Sequence, residues 1–129
     1  MSDWVDAERH AELAHQYYEA GQWDKAAEEL RQALSVNPEQ SEWQFGLGVT
    51  LDALQRYEEA IGAFREVVRL RGEDLDALLY LGVDLIRVGQ PREAIEVLER
   101  RLRGAEVVRQ LEVRQQEVAV VRHVQAEAP

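Results

Sequence analysis

The chain has 129 residues, enough for one domain of ordinary size. Apolar residues make up 46% and charged residues 31%, which is the composition of a chain that buries a core, not of a disordered one. The absence of cysteine excludes disulfides, cysteine-based zinc sites and thiol catalysis. With 25 acidic against 15 basic residues, the net charge of -10 disfavours nucleic acid and anionic membranes as ligands.

No leader peptide is expected, because residues 1–20 carry acidic side chains and lack a long apolar run. A membrane span is not expected either, since every stretch falls short of the roughly 18 uncharged residues that it needs. We therefore expect a cytoplasmic protein. The negative charge lies mainly in the first half: residues 1–34 hold eight acidic and three basic residues, whereas residues 69–104 hold seven of each.

Hydrophobic periodicity and helix-boundary signals predict a chain that is helical throughout. The first two helices are predicted at 4–20 and 23–36, with Gly21 between them in a position that suits a left-handed helix end. Asn37 and Pro38 then end the pair.

The second pair of helices is predicted at 42–55 and 57–71. The segment from Ser41 to Gln44 has the form of a capping box that opens the first of them. Gly72 marks the end of the second.

The third pair is predicted at 75–88 and 91–103. Asp74 is a good N-cap for its first helix. Gly89 suits the turn between the two helices, and Pro91 suits the first position of the second.

Residues 105–125 form a further apolar pattern, with Val107, Val108, Leu111, Val118, Val121 and Val124 close to one helical face. We predict one long helix that caps the third pair, because the last hairpin would otherwise expose an apolar surface. The alternative is a helix that leaves the body and pairs with another chain. Val113 and Val120, which lie off the main face, support that alternative.

Shifting the chain by 34 residues aligns three copies of one pattern, made of a leucine, a small residue, a bulky residue and, further along, an alanine. The copies are Leu13, Ala14, Tyr17 and Ala26, then Leu47, Gly48, Leu51 and Ala60, then Leu81, Gly82, Leu85 and Ala94. Small residues allow two helices to cross closely, and the bulkier neighbours fill the space beside the crossing. Each copy is therefore predicted to be a helical hairpin.

This pattern resembles the tetratricopeptide repeat, and the resemblance covers roughly residues 5–104. It implies an all-α fold, an α-solenoid of three tetratricopeptide helical hairpins with a C-terminal capping helix. The implied repeats are about 7–40, 41–74 and 75–104, and 105–129 is the capping or oligomerisation helix with a short tail. The sequence departs from the family where a tryptophan is replaced by His10, Gln44 and Leu78.

Motifs of enzymes are missing from the sequence, which has no Gly-rich phosphate loop, GxSxG or HExxH. His10 and His15 lie about 140° apart around a helix, so they are not expected to share a metal. His10 is expected to have a packing role, and the pairs Glu28-Glu29 and Glu58-Glu59 are expected to be solvated. We predict no enzymatic activity, no catalytic residues, no metal and no cofactor.

In the resembled family, the first helix of each hairpin lines a groove that holds a peptide or helix. The residues that this implies for a peptide-binding groove are His15, Tyr18, Phe45, Val49, Asp52, Leu79, Val83 and Ile86. The apolar members would form its floor, and acidic residues its sides. The alternative is that these side chains pack between neighbouring repeats.

In one subclass of the resembled family, the groove grips a partner's C-terminal carboxylate with lysine, arginine and asparagine, and a groove of that kind is disfavoured here. Ala11, His15, Glu8 and Glu12 stand at those places in the first repeat, and Val49 and Asp52 in the second. An acidic rim would also repel an acidic tail.

The leading functional hypothesis is a non-enzymatic protein interaction module that presents an acidic-rimmed apolar groove to a basic or amphipathic peptide. The alternative is a self-assembling scaffold. Its copies would join head to tail, through the arginines at 100, 101 and 103, or by pairing their C-terminal helices into a homo-oligomer. A third interpretation is a secretion-type chaperone.

Overall fold

The computed structural model describes residues 2–127, and within them the chain is all-α, with six helices and no strand. The helices are α1 (Ser2–Glu19), α2 (Trp23–Val36), α3 (Ser41–Ala53), α4 (Tyr57–Arg71), α5 (Leu75–Arg87) and α6 (Pro91–Glu127). Each helix packs on the next, so three hairpins stack in chain order. The predicted solenoid is confirmed, and the predicted bounds hold within two residues except at the end of α6. The end of the expected tail lies outside the described residues.

The turn inside each hairpin places one residue in the left-handed region. These residues are Gly21, Gln55 and Gly89, with φ of 75°, 60° and 79°. The N–H of the following residue donates to a carbonyl oxygen five residues earlier, at 2.8 to 2.9 Å, and so closes the helix end. The two glycines adopt this conformation as predicted. Gln55 adopts it against the steric preference of a side chain, which costs about 1 kcal/mol.

Two helix starts were predicted from side-chain caps, and one of them is wrong. Asp74 is the N-cap of α5, and its Oδ1 accepts from the Ala77 N–H at 2.9 Å, as predicted. Ser41 is already the first helical residue of α3, so no capping box forms with Gln44. The Ser41 hydroxyl instead accepts from Arg71 Nε at 2.8 Å, which ties the start of α3 to the end of α4.

The helices of a hairpin cross closely at the small residues of the repeat. A Cβ added at Gly48 would lie 2.7 Å from the Phe64 ring, and one added at Gly82 would lie 2.5 Å from Leu98. Real Cβ atoms do not approach so closely. The predicted close crossings are confirmed, and they fix how α3 lies on α4 and α5 on α6.

The core runs continuously through the three hairpins. Phe64, Leu51, Leu78 and Leu85 are its largest fully buried side chains. Because they come from α3, α4 and α5, they join the second and third hairpins into one apolar interior. Burying a side chain of this size stabilises the fold by about 1.5 to 3 kcal/mol.

An ion pair repeats with the period of the fold. Arg31 lies 3.2 Å from Glu59, and 34 residues later Arg65 lies 2.7 Å from Glu93. Each pair joins the second helix of one hairpin to the second helix of the next. Since all four side chains are 40% to 49% exposed, each pair contributes about 0 to 1 kcal/mol and chiefly fixes the register of the hairpins.

The expected C-terminal cap does not form. Residues 105–127 continue α6 as one helix, and every side chain from Glu106 to Glu127 is exposed. The reason lies in one repeat position: Pro38 and Gly72 end the second helices of the first two hairpins, and Glu106 stands at the equivalent place. A glutamate neither breaks a helix nor favours a turn, so the helix continues.

Replacing Gly48 by leucine should lower the free energy of unfolding by several kcal/mol, on the order of an overpacked core, because the new side chain meets Phe64. Gly62, which has open space around it, is the matched control, and Gly62→Leu should leave stability unchanged or slightly raised. Denaturant titration measures both. Equal effects of the two substitutions would contradict the close crossing.

Replacing Gln55 by glycine should raise the free energy of unfolding by about 1 kcal/mol, because glycine adopts positive φ without steric cost. Gln90→Gly is the control, since Gln90 lies outside the left-handed region and should gain nothing. Thermal unfolding compares the two variants with the parent chain. A gain at both positions, or at neither, would refute the assignment of strain to Gln55.

Candidate functional site

The first helices of the three hairpins, α1, α3 and α5, lie on one side of the solenoid and leave two clefts between them. The α1–α3 cleft has a volume of about 530 Å³. Apolar side chains line most of its wall, together with three glutamates and one histidine. The lining residues are Ala11, Glu12, Ala14, His15, Tyr18, Glu19, Leu30, Glu42, Trp43, Phe45, Gly46, Val49 and Thr50.

The α3–α5 cleft has a volume of about 510 Å³ and is also mainly apolar. Its lining residues are Tyr18, Val49, Asp52, Ala53, Leu79, Tyr80, Val83 and Arg87. Tyr18 and Val49 line both clefts, so the clefts adjoin along one face. We call this continuous surface the groove.

Seven of the eight predicted groove residues lie in the groove. His15 and Phe45 line the α1–α3 cleft, and Tyr18 and Val49 line both clefts. Asp52, Leu79 and Val83 line the α3–α5 cleft. Ile86 lies outside both clefts, on the last turn of α5, and is 56% exposed.

Phe45 belongs to the core as much as to the groove. Its ring meets the Phe64 ring edge-on at 5.7 Å and the Tyr80 ring at 5.6 Å, and Phe64 and Tyr80 stack at 5.0 Å. This is the packing between repeats that the sequence left open as an alternative. The face that Phe45 turns to the cleft is therefore held rigidly by its neighbours.

Sequence reasoning missed two aromatic residues of the groove. Trp43 lines the α1–α3 cleft, and Tyr80 lines the α3–α5 cleft. Neither residue occupies a position of the 34-residue pattern, so the pattern gave no signal for them. Arg87 also lines the α3–α5 cleft, on the face of α5 that the resemblance assigns to the groove.

The groove is acidic along the α1–α3 cleft. Glu12, Glu19 and Glu42 are exposed at its edge. His15 lies 3.9 Å from Glu19, with most of its ring in solvent. Within the described chain, the lining of this cleft contains no lysine, arginine or asparagine, so it offers no cation for a carboxylate.

His10 has a contact inside its hairpin. Its Nδ1 lies 2.5 Å from Glu29 Oε2, so it joins α1 to α2 and does not face the groove. Throughout residues 2–127, no three or more histidine, aspartate or glutamate side chains form a group that could hold a metal. Over the same residues, no helix is long and apolar enough to span a bilayer.

Two carboxyl groups meet beside the α3–α5 cleft. Asp84 is fully buried on α5, and its Oδ1 accepts from Arg87 at 3.2 Å. Asp84 Oδ2 and Asp52 Oδ1 are also buried, and among the described residues neither finds a donor. A proton shared by the two carboxyl groups satisfies both oxygens.

Burial raises the pKa of Asp52 to about 8, with further contributions from a hydrogen bond to Asp84 and from its charge, while Arg87 opposes the shift. Arg87 is itself held over the Tyr57 ring, 4.8 Å from its centroid. The pair therefore joins α3 to α5 best when it carries one proton. Its signal in the sequence is a single aspartate, Asp84, in an otherwise apolar stretch of α5.

The chain resembles known proteins in sequence and in fold. The sequence model of one family, the tetratricopeptide repeat, matches residues 11–74. The peroxisomal targeting signal receptor of Candida albicans is 31% identical over 94 residues, which cover 73% of this chain and 16% of the receptor. The structure of MamA superposes with a TM-score of 0.77 at 19% identity, covering 84% of this chain and 63% of that chain.

The second tetratricopeptide repeat domain of Spaghetti (RPAP3), solved with the HSP90 peptide SRMEEVD, superposes with a TM-score of 0.69 at 18% identity. This likeness covers 75% of this chain and 90% of that chain. At these identities the structural likeness is one of fold. The chain spans less than two thirds of the length of the receptor and of MamA.

The stability of the protein should fall as the pH rises from 6 to 9. Because the pKa of Asp52 is about 8 in the folded protein against an ordinary 3.8, the folded state holds a proton that the unfolded chain releases. That contribution is complete below pH 3.8 and is lost progressively as the pH rises from there through 8, and solvent screening at this partly exposed group reduces the size of the loss. Thermal unfolding across the pH series measures it.

Asp52→Asn should flatten this dependence, because the amide needs no shared proton. Asp76→Asn, at an exposed position on α5, is the matched control and should leave the dependence as it is. A pH profile that is the same in all three proteins would show that the two carboxyl groups do not share a proton.

Proposed function

The chain is a tetratricopeptide repeat protein, and from that premise we propose that its groove binds a basic or amphipathic peptide segment of a partner protein. Members of this family generally act as non-enzymatic protein interaction modules. The groove described above has the form that such binding needs: two adjoining apolar clefts on a rigid helical surface.

The observation that carries the proposal is the distribution of charge around the α1–α3 cleft. Its floor is apolar, and its exposed charged groups at neutral pH are Glu12, Glu19 and Glu42. These negative charges attract a cationic peptide segment over a distance of about one Debye length and repel an anionic segment. A lysine or arginine flanking an apolar anchor fits this arrangement.

The same charges argue against an acidic ligand. The HSP90 peptide SRMEEVD, which the domain of RPAP3 binds, carries two glutamates and an aspartate. The α1–α3 cleft of this chain would set its own glutamates against such a sequence. The likeness of fold to that domain therefore does not bring its ligand to this chain.

The α3–α5 cleft supports an amphipathic ligand. Leu79 is 39% exposed at this cleft, which is apolar area available for a partner's side chain. Arg87 lies at its edge, next to Asp52. An apolar residue on the ligand would bind here while its basic end lies at the α1–α3 cleft.

Selection from a peptide library that varies flanking charge should enrich apolar peptides with lysine or arginine beside them. The double variant Glu19→Gln and Glu42→Gln should bind the selected peptide about tenfold more weakly, since two attractive charges are lost. Affinity for the parent protein should fall as salt is raised. Titration calorimetry measures all three.

The matched control carries the same change on the opposite side, Glu28→Gln and Glu58→Gln, and should bind as the parent chain does. A floor variant, Leu79→Ala, should weaken binding with its salt dependence unchanged, and Leu111→Ala serves as its control outside the groove. Enrichment of acidic peptides, or equal loss in the variants and the controls, would show that this face does not bind the ligand.

A further inference from the structure

The third hairpin leaves apolar side chains uncovered at positions that the first two hairpins cover. Ala27 and Ile61 are 1% and 5% exposed, whereas Ile95, at the same place in the repeat, is 56% exposed. Leu34 is 8% exposed, whereas Leu102 at its equivalent place is 64% exposed. In the first two hairpins these positions lie under the next hairpin. The surface of Ile95 and Leu102 is therefore open for a further helix.

The apolar surface continues along the exposed part of α6. Val113 is 47% and Val120 is 62% exposed. The spacings from Ile95 to Leu102, Val113 and Val120 are 7, 11 and 7 residues, which place all four within about 20° around the helix. Together these four residues form one stripe, about 38 Å long at 1.5 Å per residue. We call it the outer stripe.

We propose that a second copy of this chain covers the outer stripe, with the two α6 helices antiparallel about a two-fold axis between residues 107 and 108. In this register Ile95 lies opposite Val120 of the second copy, and Leu102 lies opposite Val113. The two-fold symmetry forms each of these two contacts twice in the dimer. Every apolar residue of the stripe then has an apolar partner, as an isologous interface requires.

Charge in the middle of the stripe is complementary in the same register. Glu106 and Arg109 lie between the apolar residues, 2.7 Å apart as an ion pair within α6. In the antiparallel arrangement Glu106 lies opposite Arg109 of the second copy, and the two-fold axis makes the pair twice. The pairing half of the chain is nearly neutral, with seven acids and seven bases in residues 69–104 and four acids and three bases in 105–129. Electrostatic repulsion between the two paired helices is therefore small, because most of the negative charge of the chain lies in its N-terminal half.

The direction of the second helix agrees with the fold. α3 runs antiparallel to α2, and α5 to α4, because each follows the preceding helix through a short turn. A helix of the second copy that runs antiparallel to α6 lies over Ile95 and Leu102 as α5 lies over Ile61. It thus takes the place of the helix that would follow in a longer solenoid.

The helix itself needs a partner. Residues 106–127 make no contact with the body that would bury a side chain, and seven of the residues in 107–124 are valine. Most helical stability in proteins comes from packing one face of the helix, which this segment lacks, and β-branched residues lower its stability further. Pairing supplies the burial that the helix lacks in the single chain.

A second set of apolar residues, which we call the opposite set, is centred about 130° around α6 from the outer stripe. It contains Val107, Leu111, Val118 and Val121, with Arg114 in its middle. Pairing through this set would place Arg114 inside the interface and would leave Ile95 and Leu102 uncovered. The outer stripe avoids both, and the opposite set provides controls for it.

Crosslinking tests the register directly, because the chain has no cysteine of its own. A mixture of the variants Leu102→Cys and Val113→Cys should give a covalent dimer on oxidation or with a short thiol crosslinker. Either variant alone should give at least tenfold less, since its two cysteines would lie about 16 Å apart along the axis. Crosslinking of Leu102→Cys with itself would show parallel pairing and overturn the proposal.

The molar mass of the protein in solution tests whether the outer stripe forms the interface. The parent chain should have twice the 14.8 kDa of one copy at micromolar concentration, and its helical circular dichroism should fall on dilution as the free ends of α6 unfold. Leu102→Asp and Val113→Asp should each weaken dimerisation at least tenfold. Both positions are exposed in the single chain, so the solenoid remains folded.

Leu111→Asp and Val118→Asp are the matched controls in the opposite set and should leave the dimer intact. A monomeric parent chain would refute the proposal. Dissociation by the controls, with the outer-stripe variants still dimeric, would also overturn it and assign the interface to the opposite set. Because none of these positions lies in the groove, failure here leaves the proposed peptide binding unaffected, and the reverse holds too.

Discussion

The close crossing of the two helices in each hairpin is the constraint on which the rest of the structure depends. At Gly48 and Gly82 there is no room for a side chain, so the backbone of one helix lies directly against Phe64 or Leu98 of the other. That contact sets the distance and angle of the two helices. It thereby leaves α1, α3 and α5 side by side, with their remaining faces turned to the groove. The positions of the groove residues therefore follow from Gly48 and Gly82, which do not themselves line the groove.

Most of the fold could be predicted because its signals are local and repeated. Gly21, Gly89 and Asp74 each do what their own backbone or side-chain chemistry favours, and three copies in one register confirm one another. The capping box at Ser41 failed because a longer-range contact, with Arg71, competes for the hydroxyl. Gln55 shows the opposite case: the fold imposes a left-handed turn on a residue that does not favour it.

The candidate site was predictable in outline and not in its details. The repeat pattern assigns a residue to a face of a helix, which placed Val49, Leu79 and Val83 in the groove. It does not say how far a side chain on that face is covered by the next hairpin. Phe45 is therefore shared with the core, and Ile86 lies beyond the clefts. The course of α6 depended on Glu106, a residue that is unremarkable by itself and informative only beside Pro38 and Gly72.

The two joints between hairpins are built from different chemistry. Asp52 and Asp84 lie at the joint between the second and third hairpins, whereas Tyr18 and Thr50 stand at the equivalent positions of the joint before it. Neither tyrosine nor threonine changes charge near neutral pH. Loss of one proton from the carboxyl pair should therefore introduce repulsion at the joint between α3 and α5 and leave the packing inside each hairpin as it was. The spacing of α3 and α5, and with it the width of the α3–α5 cleft, is the part of the molecular shape that we expect to respond to alkaline solution.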